Sequence, residues 1–127
     1  MKKIILLLFV CILVSCGSVQ KKTTTKDSDY GFIENQPIKL GGFMRETKYA
    51  GYHRKFFSSL IGPEGQRVQS RRLGRCCAFR DGRLAFGTGF LDKYELSYNG
   101  LGKPVVVYVD LYNFDRPRAP SGFKLKE

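Results

Sequence analysis

The first apolar stretch of the chain is an eleven-residue run, residues 4–14, with Lys2 and Lys3 before it and Ser15 after it. A basic start, a short apolar run and a small residue at its end are typical of a secretory signal peptide. A helix needs about 20 apolar residues to cross a bilayer, so this run is too short to span one. The pattern predicts that residues 1–15 are a signal peptide that is removed from the mature protein.

The residues that close this region, Leu13, Val14, Ser15 and Cys16, resemble the lipobox of bacterial lipoproteins. The resemblance implies that Cys16 becomes the first residue, carries a diacylglyceryl group on its sulfur and usually takes a third acyl chain, such as palmitate, on its amine. Two or more acyl chains make a stable membrane anchor, whereas one binds marginally. Gly17, where an aspartate would imply retention, implies delivery to the outer membrane, and the basic residues after it favour a periplasm-facing anchor. The alternative is an ordinary cleaved signal peptide that contains a cysteine.

The segment that follows is polar, and Val19 is the only aliphatic residue between positions 18 and 29. Such a segment buries too little surface to offset its ordering entropy. We therefore predict that residues 16–29 are the lipidated cysteine and a flexible tether, which spans roughly 20 Å. Residues 30–127, 98 residues in all, are predicted to form a single domain with one core.

One helix is predicted in this domain. Apolar residues recur at spacings of three or four, the period of an amphipathic helix, at Tyr49, Tyr52, Phe56 and Leu60. The stripe predicts a helix that begins near Glu46 and is stopped before Pro63, because proline cannot continue a helix. Gly51 lies within it and costs about 1 kcal/mol of helix propensity relative to alanine.

Extended segments surround the helix. Residues 30–40 predict a short arm or edge strand, and strands are predicted over residues 68–79 (with a bulge at Gly74), 84–90, 94–98 and 105–112. The last run is apolar at nearly every position, as in a central strand. Asp81-Gly82 predicts a hairpin turn, and the tail is expected to wrap the surface with Phe123 docked. The fold class is therefore α+β, with one helix packed on a small antiparallel sheet of about four strands.

The domain has a large excess of positive charge. The whole chain carries +11; residues 30–127 carry +8, because the signal holds two lysines and the tether holds three against two aspartates. Six arginines and one acid, Asp81, lie between positions 67 and 83. A basic surface indicates an anionic partner. For a secreted lipoprotein we expect anionic lipid, lipopolysaccharide or peptidoglycan rather than nucleic acid. Arg71, Arg72 and Arg75 are the candidate anion-binding residues, and a merely solvated basic face is the alternative.

The cysteines reduce to one pair, because Cys11 lies in the predicted signal peptide and Cys16 is the predicted lipidation site. Neighbouring residues on a strand point to opposite faces. We therefore expect no disulfide between Cys76 and Cys77, with one of them in the core and the other near the surface. Cys77 is the better candidate for the core, and a shift of register at the Gly74 bulge is the alternative that would reverse the choice. The alternative is a disulfide, within the pair or between chains, which would make Cys76 and Cys77 candidate redox residues. A single histidine and the lack of a CxxC spacing argue against a zinc site, and no cofactor is expected.

Two further polar residues interrupt apolar patterns. His53 lies beside the helical stripe, and we expect a packed or surface histidine rather than a general base. Asp110 interrupts the last apolar run, so it is expected to be partly buried and paired with an arginine of the group formed by Arg71, Arg72 and Arg75.

Three blocks of the domain resemble a group of small Bacteroidota lipoproteins: residues 72–79 (RLGRCCAF), 91–96 (LDKYEL) and 119–123 (APSGF). In that group an RxLGSCCxF-like block precedes a strand and an APxGF-like tail; Arg75 here stands where the group has serine. The resemblance covers most of residues 30–124 and implies an outer-membrane lipoprotein without an established activity. Some members carry the name of a 2-dehydro-3-deoxyphosphooctonate aldolase. That aldolase class resembles a TIM barrel of about 250 residues, which 98 residues cannot build.

These features predict a non-catalytic lipoprotein of the cell envelope. It is expected to be anchored in the outer membrane, to face the periplasm, and to bind an anionic envelope component or an outer-membrane protein. The competing hypothesis is a small enzyme that is redox-active through Cys76 and Cys77 or hydrolytic through His53.

Overall fold

The computed structural model describes residues 27–44 and 47–127. Cys16, the predicted signal peptide and most of the predicted tether lie outside the described residues. A short 3-10 helix, Asp27–Asp29, is followed by these elements: β1 (Ile38–Lys39), α1 (Tyr52–Ser59), β2 (Leu60–Ile61), β3 (Gln69–Arg80), β4 (Thr88–Ser97), β5 (Val105–Asp110) and β6 (Lys124–Leu125). None of the helices in these ranges has the length and apolar character needed to cross a membrane.

Four of the strands form one sheet in the order β1-β5-β4-β3. β5 is antiparallel to β4, and β4 is antiparallel to β3, whereas the short β1 runs parallel to β5. β2 and β6 form a separate antiparallel pair. The predicted α+β fold of one helix and about four strands is confirmed, with a mixed rather than purely antiparallel sheet. The predicted central strand is also confirmed, since β5 lies between β1 and β4.

The core lies between α1 and one face of this sheet. Leu96, Val107 and Val109 are fully buried there, and Phe56 and Phe57 cover them from the helix. The ring of Phe57 lies 4.5 Å from that of Tyr94 on β4. The docking of Phe123 is confirmed: it is buried and packs edge-on against Tyr98, with the ring centroids 5.4 Å apart.

The helix is shorter than the apolar stripe predicts. Gly51, with φ of 74°, adopts the left-handed conformation immediately before it, so the stripe residue Tyr49 lies outside α1. At the other end Leu60 is already extended. Leu60 pairs with Leu125 of β6. This strand pairing ends the helix, three residues before Pro63. Long-range pairing thus overrides the helical period at this position.

β4 joins two segments that the sequence pattern separates. The sequence pattern predicts separate strands over residues 84–90 and 94–98, but Leu91, Asp92 and Lys93 continue one strand, and the last two pair with β5. The prediction of a strand over residues 84–87 is wrong, because these residues belong to the turn before β4. The hairpin turn before β4 is also wider than Asp81-Gly82. It closes where the Asp81 N–H donates to the Gly87 carbonyl at 3.0 Å.

β3 contains two bulges opposite β4. Arg72 faces Tyr94 and Gly74 faces Lys93, so one residue between them is extra. This confirms the bulge predicted at Gly74, whose φ of 126° suits glycine. The second bulge lies between Arg75 and Ala78, where two consecutive residues face one residue of β4.

Those two residues are Cys76 and Cys77, and a disulfide joins their sulfur atoms. The prediction that they form no disulfide is therefore wrong. The prediction that Cys77 is a core residue is also wrong, because both cysteines are half-buried. The reason is the bulge: it interrupts the alternation of side chains along the strand on which both predictions depended.

Candidate anion-binding pocket

A cavity of about 1010 Å³ opens beside α1, on the half of the hairpin farthest from its turn. Its walls come from α1, β2, the loop before β3, the first residues of β3, and Tyr94 of β4. Lys126 adds a side chain from the C-terminal tail. The pairing of β2 with β6 brings the tail here, and it also lets the Lys126 N–H donate to the Ser59 carbonyl at 2.8 Å.

Cationic side chains dominate the charge of this basic pocket. Four of them line it: Arg54, Arg67, Arg72 and Lys126. No aspartate or glutamate occurs among the described residues that line it. Arg54 and Arg67 are exposed and form no ion pair with any described residue. Lys126 uses one donor of its ammonium group on the Ser58 carbonyl, at 3.0 Å.

Arg72 is held in place by a buried carboxylate. Its Nε and Nη2 donate to the two oxygens of Asp92, at 3.2 and 3.1 Å. Arg72 faces Tyr94 across the strands, and Asp92 lies two residues from Tyr94, so all three side chains share one face of the sheet. The hydrogen bond and the charge of Asp92 raise the pKa of Arg72 above its usual value. This pairing orients the guanidinium while its other N–H donors stay unused by Asp92.

His53 presents a polar atom without a partner. Its Nδ1 is buried and accepts or donates no hydrogen bond within the described structure. Burial lowers the pKa of His53 below its usual value, and the charge of Arg54 lowers it further, while Asp92 partly opposes both. The imidazole is therefore held neutral beside a set of permanent cations, and an incoming negative charge would favour its protonation.

The structure separates the three arginines predicted as anion-binding residues. Only Arg72 lines the basic pocket. Arg71 faces Glu95 across the strands and binds it at 3.1 Å, and the Arg75 guanidinium lies over the ring of Phe90, 5.1 Å from its centroid. The remaining cations of the pocket were missed because they are far apart in the chain. Arg67 alone belongs to the arginine-rich stretch that the sequence singled out.

Asp110 has a different partner from the one predicted. It is 2% exposed, but no arginine of the predicted group binds it. Instead its Oδ1 accepts the backbone N–H groups of Tyr112 and Asn113, at 2.8 and 3.0 Å, and its Oδ2 accepts the Asn113 amide. These bonds cap the end of β5, where the chain turns. The kind of arginine–carboxylate pair expected for Asp110 is instead formed by Arg72 and Asp92.

Among the described residues, no hydroxyl or thiol forms a hydrogen bond with the Nδ1 of His53, so the pocket shows no nucleophile that this nitrogen activates. Ser58 lines the cavity, but its hydroxyl donates to the Lys55 carbonyl at 2.8 Å. Across the described residues, no three His, Cys, Asp or Glu side chains are grouped closely enough to hold a metal ion. What the arrangement can do chemically is hold an anion by charge and by directed N–H groups. No family model, curated protein or solved structure matches the chain.

Proposed function

We propose that this protein is a non-catalytic, lipid-anchored component of the bacterial cell envelope that faces the periplasm and binds an anionic glycan or lipid headgroup. The basic pocket is the proposed binding site. The ligand chemistry is a phosphate or carboxylate carried on a sugar or a phospholipid, as found in lipopolysaccharide, peptidoglycan and anionic lipids. An outer-membrane protein with an anionic surface would present the same kind of group to the pocket.

The observation that supports the proposal most strongly is the charge of the pocket. Four cationic side chains line one cavity, and among the described residues only the buried carboxylate of Asp92 is bound to any of them, at Arg72. A cavity lined by one sign of charge concentrates the field and raises the local concentration of ions of opposite charge. The buried and unpartnered Nδ1 of His53 adds a group that would gain from an anion nearby.

Binding can be tested with two soluble probes, a phosphorylated glucosamine disaccharide and a muropeptide with free carboxylates, titrated into the full chain. The variant combines Arg54→Gln with Arg67→Gln, and its charge-matched control combines Lys103→Gln with Arg116→Gln, which lie outside the pocket. We expect the pocket variant to bind about tenfold more weakly, since each exposed charge is worth up to about 1 kcal/mol. Binding should also weaken with salt. Equal affinities for the pocket variant and the control would contradict the proposal.

The anchor has its own test. The lipobox-like residues 13–16 support acylation of Cys16, and mass spectrometry of the protein from membranes should find a mature chain that begins at this cysteine and carries acyl groups. Cys16→Ala should leave the unprocessed precursor. An unacylated mature chain that begins elsewhere would remove the anchor from the proposal without affecting the pocket.

The disulfide between Cys76 and Cys77 favours a second candidate, a redox function. Reduction by a dithiol would break the S–S bond, deliver two electrons and two protons to the cysteines, and convert the reductant to its own disulfide. Thiol titration of the native protein after mild reduction separates the two functions. A low-pKa, reactive thiol supports redox chemistry, whereas two inert thiols support a structural pair.

A further inference from the structure

A second cavity, of about 680 Å³, lies at the opposite end of the hairpin from the basic pocket. It is formed where the turn between β3 and β4 meets the segments that follow β1 and β5. Most of its side chains are aromatic or aliphatic, and the largest are Phe43, Met44, Tyr49, Phe86, Tyr112 and Phe114. We call it the aromatic pocket. Thr88 lines it and Tyr94 lines the basic pocket, so about 20 Å of β4 separates the two.

The apolar side chains here are unusually exposed. Phe86, near the tip of the turn, is 95% exposed, and Met44 is 60% exposed. Neither side chain belongs to the core cluster, so neither is explained by folding. The walls behind them are ordered by ring stacking, with centroids 4.5 Å apart for Phe43 and Tyr112. A contiguous exposed apolar patch on an ordered support marks an interaction surface.

Among the described residues, the charge at this surface is positive. Its only charged lining residues are Lys48 and Arg83, and no carboxylate lines it among the described residues. Arg83 is neutralised by Asp81, whose oxygen it binds at 2.8 Å, but Lys48 forms no ion pair with any described residue. Arg80, at the end of β3 where the turn begins, is a further exposed cation. Tyrosine rings, protruding apolar side chains and lysine or arginine stems together match the interface of an anionic bilayer.

We infer that the aromatic pocket is a membrane-docking surface, which places Phe86 and Met44 among the lipids of a bilayer that contains anionic phospholipid. In one respect this inference rests on the proposed anchor: the eleven residues between positions 16 and 26 would hold the described domain within about 20 Å of the membrane. At that distance even a weakly inserting surface stays close to the bilayer, because the tether makes its contact with the lipids an intramolecular event. Docking at this end would direct the basic pocket away from the bilayer, so of the anions proposed for that pocket the glycan fits this placement and a headgroup of the same bilayer does not.

A bilayer fits this surface better than a folded partner does. Hot-spot residues of protein interfaces lie in packed, desolvated pockets near the centre of the contact. Phe86 instead projects from a turn with almost no neighbours. A fluid lipid phase accepts such a projection without a complementary cavity, and insertion by about 5–10 Å is enough to bury the ring.

The test uses the lack of tryptophan in the chain. The full chain carrying Phe86→Trp, made in a bacterium that acylates lipoproteins, is reconstituted on vesicles of phosphatidylethanolamine and phosphatidylglycerol. A parallel sample carries Leu125→Trp, at a position 37% exposed near the basic pocket. Vesicle flotation, tryptophan emission and quenching by brominated acyl chains are measured on both samples.

We expect the tryptophan at position 86 to shift to shorter wavelength and to be quenched several-fold more strongly than that at position 125. Adding Lys48→Gln and replacing phosphatidylglycerol by phosphatidylcholine should each reduce the quenching. A protein that floats with the vesicles but is not quenched at position 86 would overturn the inferred docking surface and leave the proposed anchor intact. Failure to float would contradict both. Quenching at both positions alike would show that the domain has no fixed docking face, which also overturns the inference.

Discussion

The two ends of the β3–β4 hairpin carry opposite kinds of surface on the same scaffold. At the end near α1, four cations line a cavity whose apolar lining residues are mostly buried. At the turn, aromatic side chains line the cavity and one of them is 95% exposed. The first end presents positive charge, and the second presents exposed apolar surface. The two proposed binding surfaces therefore share no lining residue.

The largest effect should come from the core that supports both ends. Leu96 is fully buried on β4, so Leu96→Ala should destabilise the domain by about 3–5 kcal/mol through lost burial and the cavity left behind. Leu125→Ala, at a partly exposed position, is the control and should cost far less. Urea unfolding of both variants measures the difference. If Leu96→Ala weakened binding at the basic pocket and at the aromatic pocket unequally, the two pockets would not depend on a common core.

The aromatic end can be perturbed by itself through Gly42. Its φ is +85°, and an added Cβ would collide with the Tyr49 carbonyl oxygen. Gly42→Ala should cost about 2–4 kcal/mol by combining left-handed strain with overpacking. Gly100→Ala isolates the first term, because Gly100 also has positive φ but has open space around its Cβ position, and it should cost about 1–2 kcal/mol. Equal losses in urea unfolding would show that Tyr49 yields without cost.

Replacing Asp92 at the basic end should lower the stability of the domain and strengthen anion binding. Asp92→Asn removes the buried carboxylate from the half-exposed Arg72, at an expected cost of about 1–2 kcal/mol. The same change adds net positive charge to the pocket, so the phosphorylated disaccharide should bind several-fold more tightly at low salt.

The control lies on the other face of the same strand. Glu95→Gln breaks the exposed pair with Arg71 and should change stability by less than about 0.5 kcal/mol. Binding that weakens in Asp92→Asn would indicate that Arg72 must be held in place more than the pocket must be charged.

How far the sequence could predict this arrangement differs between the fold and the site. The period-3.6 stripe, the alternating β4 residues and the apolar β5 are local patterns, and they predicted α1 and the sheet. The charge count along residues 67–83 grouped Arg71 with Arg72, although neighbours on a strand alternate in face. The basic pocket itself depends on the β2–β6 pairing, which brings Lys126 to α1 and has no local signature. The bulge at Cys76 and Cys77 is likewise set by register with β4.

A smaller effect should appear in the pH dependence of stability. Burial lowers the pKa of His53 below its unfolded value near 6.5, so the unfolded chain binds this proton more readily. Stability should therefore be constant above about pH 6.5, fall as the pH drops toward the folded pKa, and level off below it. His53→Gln should remove this part of the dependence below about pH 6.5 in urea unfolding. An identical slope in both proteins would place the titration elsewhere.

His53 also provides the most direct test of the anion site, because it is the only histidine of the chain and its imidazole signals in an NMR spectrum are unambiguous. The full chain in zwitterionic detergent is titrated with acid in the absence and in the presence of saturating phosphorylated glucosamine disaccharide. If the anion occupies the basic pocket, the pKa of His53 should rise when the ligand is bound, and the rise should be lost when Arg54→Gln and Arg67→Gln are combined. A bound ligand that leaves the pKa of His53 unchanged would contradict an anion site in this pocket.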